Sequence, residues 1–259
     1  MLGLVSVFLA AHTYPVDGIV VAVDRDARTM LVSHRPIGRY MPAMMMPFRV
    51  EQAGELEGLY AGARVHFELV VHRASSVARH LVKTADGEIA PPKERLRPGE
   101  AVADFSLRDQ NGRAARLSDL RGKVVAVDFI YTRCPLPDVC PRLSANFATL
   151  QRRFHERLGT DLMLITITVD PQYDTPAVLA GYARRWGADD RGWLFLTGDV
   201  AEVAAQLGEV YWTDEGAIGH NSRTTIIGRD GRVAAMVDGS SWRAGQLADL
   251  VSHELEGKQ

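Results

Sequence analysis

Lys123-Val-Val-Ala-Val-Asp-Phe-Ile-Tyr131 runs directly into Thr132-Arg-Cys-Pro-Leu-Pro-Asp-Val-Cys-Pro141. The first stretch, apolar but for its lysine and Asp128, reads as a buried strand. The second holds both cysteines of the chain, Cys134 and Cys140. Cys134, Leu136 and Cys140 each precede a proline, which biases them toward extended backbone. Pro141 suits the first position of a helix, so the helix is expected to begin there with Cys140 at its N-cap. Strand, thiol loop and helix in that order read as an α/β domain with its site at the carboxyl end of a strand. Free N–H groups at the helix start favour a thiolate, so Cys140 is expected to ionise more readily than a free thiol. Such a pair can exchange a disulfide, grip a soft metal, or close a short loop as an inert surface disulfide.

Outward from this loop, strand-like runs at 123–131, 161–169, 193–197, 223–228 and 232–237 alternate with helical stretches near 141–157, 176–186, 199–208 and 243–255. A hairpin is expected over 105–117, turning at Asn111-Gly112. Thr175-Pro176 reads as N-cap and first helical residue. Asp230-Gly231 joins the last two strands, which makes the sheet mixed. Asp128, mid-strand, has two readings: a buried carboxylate that handles protons for the thiols, or one satisfied by neighbours at a sheet edge. His220, in Gly216-Ala-Ile-Gly-His-Asn-Ser222, is read as a loop residue returning to the sheet end that carries the cysteines. Two thiolates and an imidazole make a trigonal, soft-to-borderline site suited to copper. Asp170 and Asp174 are expected to shape the turn into the next helix.

The N-terminal part has a different rhythm. Short runs at 18–24, 29–33, 46–50, 64–71 and 77–82, separated by turn signals, predict a small all-β barrel. Four of the eight methionines fall in Tyr40-Met-Pro-Ala-Met-Met-Met-Pro-Phe48. Consecutive methionines specify a core poorly. In a strand Met44 and Met46 share one face and Met45 takes the other, and His34, ending an earlier run, reaches the first of these. Two thioethers and an imidazole select Cu(I) or Ag(I); the alternative is a greasy or partner-binding patch. His66, His72 and His80 are expected to be ordinary surface or half-buried residues.

Residues 85–100, polar and proline-rich, read as a linker. With 259 residues the chain accommodates two modest domains. A net charge of −2, with 46% hydrophobic and 24% charged residues, is that of a globular protein. With no basic block interleaved with aromatics, nucleic acid is not an expected partner. Residues 1–13 open on about ten apolar residues, too short to span a membrane and right for the apolar region of an export leader. The expected location is therefore the periplasm or another extracytoplasmic space, with the N-terminal segment as a candidate membrane anchor.

Two resemblances follow from these residues. From about Val102 onward the chain resembles the Sco/SenC family, through Phe129-Ile-Tyr-Thr-Arg-Cys-Pro135, Asp138-Val-Cys-Pro141, Ile165-Thr-Ile-Thr-Val-Asp-Pro-Gln-Tyr-Asp-Thr-Pro176 and His220 ahead of the last hairpin. That resemblance implies a thioredoxin-like fold over 101–259 and copper, as Cu(I) or Cu(II), held by Cys134, Cys140 and His220. It also implies delivery to the Cu-A site of a cytochrome oxidase subunit. The strand with Asp128 is similar to the thioredoxin active-site strand. The departure is spacing, five residues between the cysteines where the family has three. Residues 14–84 resemble the CusF-like OB-type barrels through Ser33-His-Arg-Pro-Ile37 and Pro42-Ala-Met-Met-Met-Pro-Phe48. This implies Cu(I) on His34, Met44 and Met46. Met41 stands where that family has a covering tryptophan, so a further sulfur, or Tyr40, is expected over the ion. Together they imply an exported copper metallochaperone. The alternatives are a thiol–disulfide oxidoreductase acting on metal-site cysteines through Cys134, Cys140 and Asp128, and copper sequestration without delivery.

Overall fold

The computed structural model describes residues 12–73, 75–87, 89, 95–214 and 217–257. They fall into two compact units, Met1–Ala90 and Pro91–Gln259. The expected leader over 1–13 lies outside the described residues except for His12 and Thr13, which open the first strand.

The first unit is one antiparallel sheet. Strand β1 (His12–Asp24) lies between β2 (Thr29–His34) and β4 (Arg64–Val71), with β3 (Met44–Arg49) and β5 (Ser76–Ala85) outside them, in the order β3-β2-β1-β4-β5. Alternation builds its core: Met30, Val32 and His34 are buried on β2, and Val65, Phe67 and Leu69 on β4. The outer strands curl toward one another and meet at a single bridge, Val50 with Ala78. Glu51 N–H also donates to Ala78 O at 2.9 Å. The expected barrel is thus an all-β sheet closed at one point instead of by a full ladder. β3 is short, and register breaks along β4–β5 bend β5 away from a continuous pairing.

The second unit opens with a small hairpin, β6 (Ser106–Arg108) and β7 (Ala114–Arg116). Asp109 Oδ1 accepts from Asn111 and Arg113 N–H at its turn. The central strand β8 (Val124–Ile130) is buried at every position, and so is β9 (Leu162–Thr168), as strands covered on both faces must be. Between them runs α1 (Cys140–Arg153). Then follow α2 (Pro176–Trp186), β10 (Trp193–Leu196), the short α3 (Ala201–Gln206), β11 (Tyr211–Asp214), β12 (Ala217–His220), β13 (Thr224–Ile227), β14 (Val233–Val237) and α4 (Ala244–Glu256).

The main sheet has the order β10-β9-β8-β13-β14. β10, β9 and β8 are parallel, and β13 runs antiparallel to both β8 and β14. Thr175 caps α2, its Oγ1 accepting from Val178 N–H at 3.5 Å, and Gly187 ends it at φ +63°.

Two local expectations are corrected. α1 starts at Cys140 itself, with Val139 as its N-cap. His220 is not in a loop: it ends β12, whose hairpin with β11 the sequence reading missed. That hairpin closes because Gly219 has no side chain, so that the indole of Trp212 lies where a Cβ would stand, 2.4 Å away.

Candidate metal centres

The thiol loop is rooted by carboxylates. Asp174, fully buried, accepts from Thr132 N–H at 3.0 Å and from the hydroxyls of Thr132 and Thr168. Asp170 accepts from Arg133 Nε at 3.1 Å, and the Arg133 guanidinium lies 4.1 Å from the Tyr173 ring centre. The side chains of both aspartates thus reach across to the end of β8, beyond the expected shaping of the turn into α2, and pin the chain just before Cys134. At the far end Ser240 Oγ donates to Asp138 O at 2.8 Å.

Both thiols are free. Cys134 is half-buried and directs its Sγ at Leu136 O, 3.8 Å away, whereas Cys140 is fully buried at the start of α1. Cys140 Sγ lies 3.4 Å from His220 Nε2, and His220 Nδ1 lies 2.7 Å from Glu209 Oε1. Hydrogen bonding from the Cys140 thiol, aided by the Cys140 backbone N–H, pulls Cys134 down to about 6 against its own burial. Burial, and the proximity of Cys134, push Cys140 up. The expectation that Cys140 ionises more readily than a free thiol is therefore not met: Cys134, not Cys140, is the ready thiolate. The helix start helps whichever sulfur its N–H groups face, and burial penalises a charge on Cys140.

Among the described residues no three His, Cys, Asp or Glu side chains already converge as a metal cage. Cys140 and His220 form one edge of such a set, with Cys134 beside the Cys140 thiol. The donor chemistry fits copper: two sulfurs and an imidazole whose free nitrogen faces a thiol. Beneath them Asp128 sits on the central strand, fully buried, with neither oxygen in a hydrogen bond of ordinary geometry. Burial pushes its carboxyl up to about 8, the charge of Glu209 adds to this, and the Thr166 hydroxyl only partly offsets it. The reading of a satisfied carboxylate at a sheet edge fails on both counts.

The methionine centre follows from register. His34 is the cross-strand partner of Met44, and Val32 of Met46, so His34, Met44 and Met46 share the inner face at one end of the sheet. His34 Nδ1 lies 2.7 Å from Arg35 O, so Nδ1 carries the proton and Nε2 offers a lone pair. That Nε2 is buried without a partner, a cost a soft cation would remove. Burial also pushes the imidazole down, toward its neutral, ligating form. Met44 is 46% exposed, while Met41 and Met46 pack against the core. Gly18 lies opposite His34 across β1–β2, where a Cβ would stand 2.6 Å from Ser33 O.

Tyr40 stacks on Tyr14 with ring centres 4.6 Å apart. The remaining histidines are ordinary surface: His66 pairs with Asp17 at 2.8 Å and His80 with Glu68 at 3.1 Å, and His72 is exposed. Sequence reasoning missed Glu209, Tyr14 and Gly18. None carried a clear signal: Gly18 opens the apolar run 18–24, and its place inside β1 is set by the fold.

Similarity to known proteins falls on both units of the chain. Residues 93–256 match the family model described as SCO1/SenC, and residues 13–81 match that of the copper binding periplasmic protein CusF. The SCO1 protein homolog of Bacillus subtilis is 30% identical over 139 residues, covering 51% of this chain and 70% of that protein. Bradyrhizobium japonicum ScoI, solved with copper bound, is 27% identical with a TM-score of 0.51, covering 60% of this chain and 99% of that one. BsSco is described as having a disulfide switch and as a member of the Sco family of cytochrome c oxidase assembly proteins. It is 26% identical with a TM-score of 0.54, covering 65% of this chain and 99% of that one. A thiol loop on a thioredoxin-like sheet, matched by a family model over most of the chain, makes this protein a member of the SCO1/SenC family with a CusF-type domain on its N-terminal side.

Proposed function

We propose that this chain is an extracytoplasmic copper metallochaperone with two sites, acting in the assembly of the Cu-A centre of a cytochrome oxidase. The observation that carries this is the presence of two soft donor sets in one chain, one with His34 Nε2 buried without a partner and one with His220 Nε2 turned toward the Cys140 sulfur. His34, Met44 and Met46 hold Cu(I), with Met41 and the Tyr40 ring at the mouth. Cys134, Cys140 and His220 hold Cu(I) or Cu(II). Copper is the cargo, and it moves by exchange of one soft ligand at a time. Cys134, the more accessible sulfur and the readier thiolate, is the ligand that an acceptor's own thiolate displaces first.

The location is supported by the match of residues 13–81 to the model of the copper binding periplasmic protein CusF. Among the described residues no helix is long and apolar enough to cross a membrane.

A second reading has its own support. An accessible low-pKa thiol backed by a buried one, with a buried carboxyl at about 8 beneath them, suits thiol–disulfide exchange on an acceptor's metal-site cysteines. One comparison separates the two. Full-length wild type, Cys134→Ser and His220→Ala are returned to a strain lacking the protein, and Cu-A assembly is read by oxidase activity. Delivery requires both residues, so both variants fail. Redox maintenance requires only the thiols, so oxidase activity restored by His220→Ala would overturn the delivery reading. Normal oxidase with metal-sensitive growth in the deletion strain would point to sequestration instead.

A further inference from the structure

Glu209 belongs to no motif, yet its carboxylate is among the best-satisfied groups in the fold. It follows Gly208, is 2% exposed, and accepts from three donors. Oε1 receives Ser222 N–H at 3.2 Å and lies 2.7 Å from His220 Nδ1, and Oε2 receives Arg223 N–H at 2.8 Å. Ser222 adopts φ +57°, a left-handed conformation uncommon outside glycine, and this turns two successive N–H groups onto one carboxylate. Asn221 staples the two segments together. Its N–H donates to Val210 O at 3.1 Å, its Oδ1 accepts from Val210 N–H at 3.0 Å, and its Nδ2 donates to Gly208 O at 2.8 Å. The Arg223 guanidinium turns away to Asp238, 2.7 Å from Nε, so Glu209 is not its counter-ion. The charge is directed at the imidazole.

A carboxylate oxygen has no proton to give, so the 2.7 Å contact places the His220 proton on Nδ1 and leaves the Nε2 lone pair facing Cys140 Sγ at 3.4 Å. Metal-bound histidines are commonly oriented in this way by a carboxylate on the opposite nitrogen. We propose that Glu209 is the positioning residue of the Cys/His copper site, fixing the tautomer and ring orientation with which His220 meets copper beside Cys140. This rests on the reading of His220 as a ligand. Glu209→Met is the informative change, because it removes the acceptor of the Nδ1 proton at nearly constant volume, whereas a Gln amide would keep its oxygen on His220 and Ser222, the two donors to Oε1.

The test uses the full, reduced, metal-free chain. Long-range 1H–15N correlation spectra report the His220 tautomer, with His220→Ala identifying the signals. Titration with Cu(II), followed by thiolate-to-copper absorption, reports the site. The expectation is an Nδ1–H tautomer in wild type and loss of that single tautomer in Glu209→Met. Cu(II) binding should weaken about 10–100-fold in Glu209→Met and be largely retained in Glu209→Asp. Wild type with its proton on Nε2 would overturn the proposal without any variant, so a misfolded Glu209→Met does not shelter it. An unchanged tautomer and affinity in a folded Glu209→Met would overturn it as well. If His220→Ala binds Cu(II) as tightly as wild type, the ligand reading falls and takes the copper role of Glu209 with it. That failure is recognisable because the tautomer change in Glu209→Met would persist.

Discussion

At the scale of single residues, the two cysteines differ more than their shared loop suggests. Cys134 is half-buried with its thiol drawn down to about 6, whereas Cys140 is fully buried and pushed up. Brief alkylation of the reduced, metal-free protein at pH 7 should therefore modify Cys134 at least about tenfold faster than Cys140. The Cys134 rate should fall as pH drops through about 6, where its thiolate takes up a proton. Peptide mass spectrometry reads both, and equal rates would refute the assignment. Asp128 gives a second prediction. Its carboxyl lies at about 8 in the folded chain against an ordinary 3.8. Between these values the folded state keeps a proton that the unfolded state releases, so this group lowers stability as pH rises through that window. The slope is at most about 1.4 kcal/mol per pH unit. Urea unfolding at pH 5 and pH 8 should show Asp128→Asn losing less stability over that interval than wild type; identical losses would place the carboxyl elsewhere.

At the scale of elements, the sites depend on close approaches that only glycine permits. A Cβ on Gly18 would meet Ser33 O at 2.6 Å and Val32 Cγ1 at 2.5 Å, forcing β2 away from β1 beside His34. Gly18→Ala should cost about 1–3 kcal/mol in thermal or urea unfolding. It should also weaken Ag(I) binding, with Ag(I) serving as a redox-inert stand-in for Cu(I). Unchanged stability and binding would show that β2 carries no such constraint.

The same scale explains what was legible in the sequence. β8, β9 and the thiol loop announce themselves through unbroken apolar runs and prolines, and the methionine face through a period of two. The β11–β12 hairpin does not, because strands of four residues around Gly219 carry too little pattern. Glu209 does not either: its meaning comes from an eleven-residue return of the chain to His220 and a left-handed Ser222, and no local propensity encodes these. The Cys140 ionisation was misjudged for a related reason, since burial of a side chain is a property of the packed fold and not of the helix start alone.

At the scale of the whole molecule, the two proposed soft sites fall one in each compact unit of the chain. The methionine site lacks thiolates and the other lacks thioethers, so each can be removed without touching the other. Anaerobic Cu(I) titration of the reduced full-length protein tests this most directly, alongside one variant lacking Cys134 and Cys140 and one lacking Met44 and Met46. Two equivalents bound by wild type, and one by each variant, is the predicted result; a stoichiometry that stays the same in all three proteins would contradict the two-site assignment.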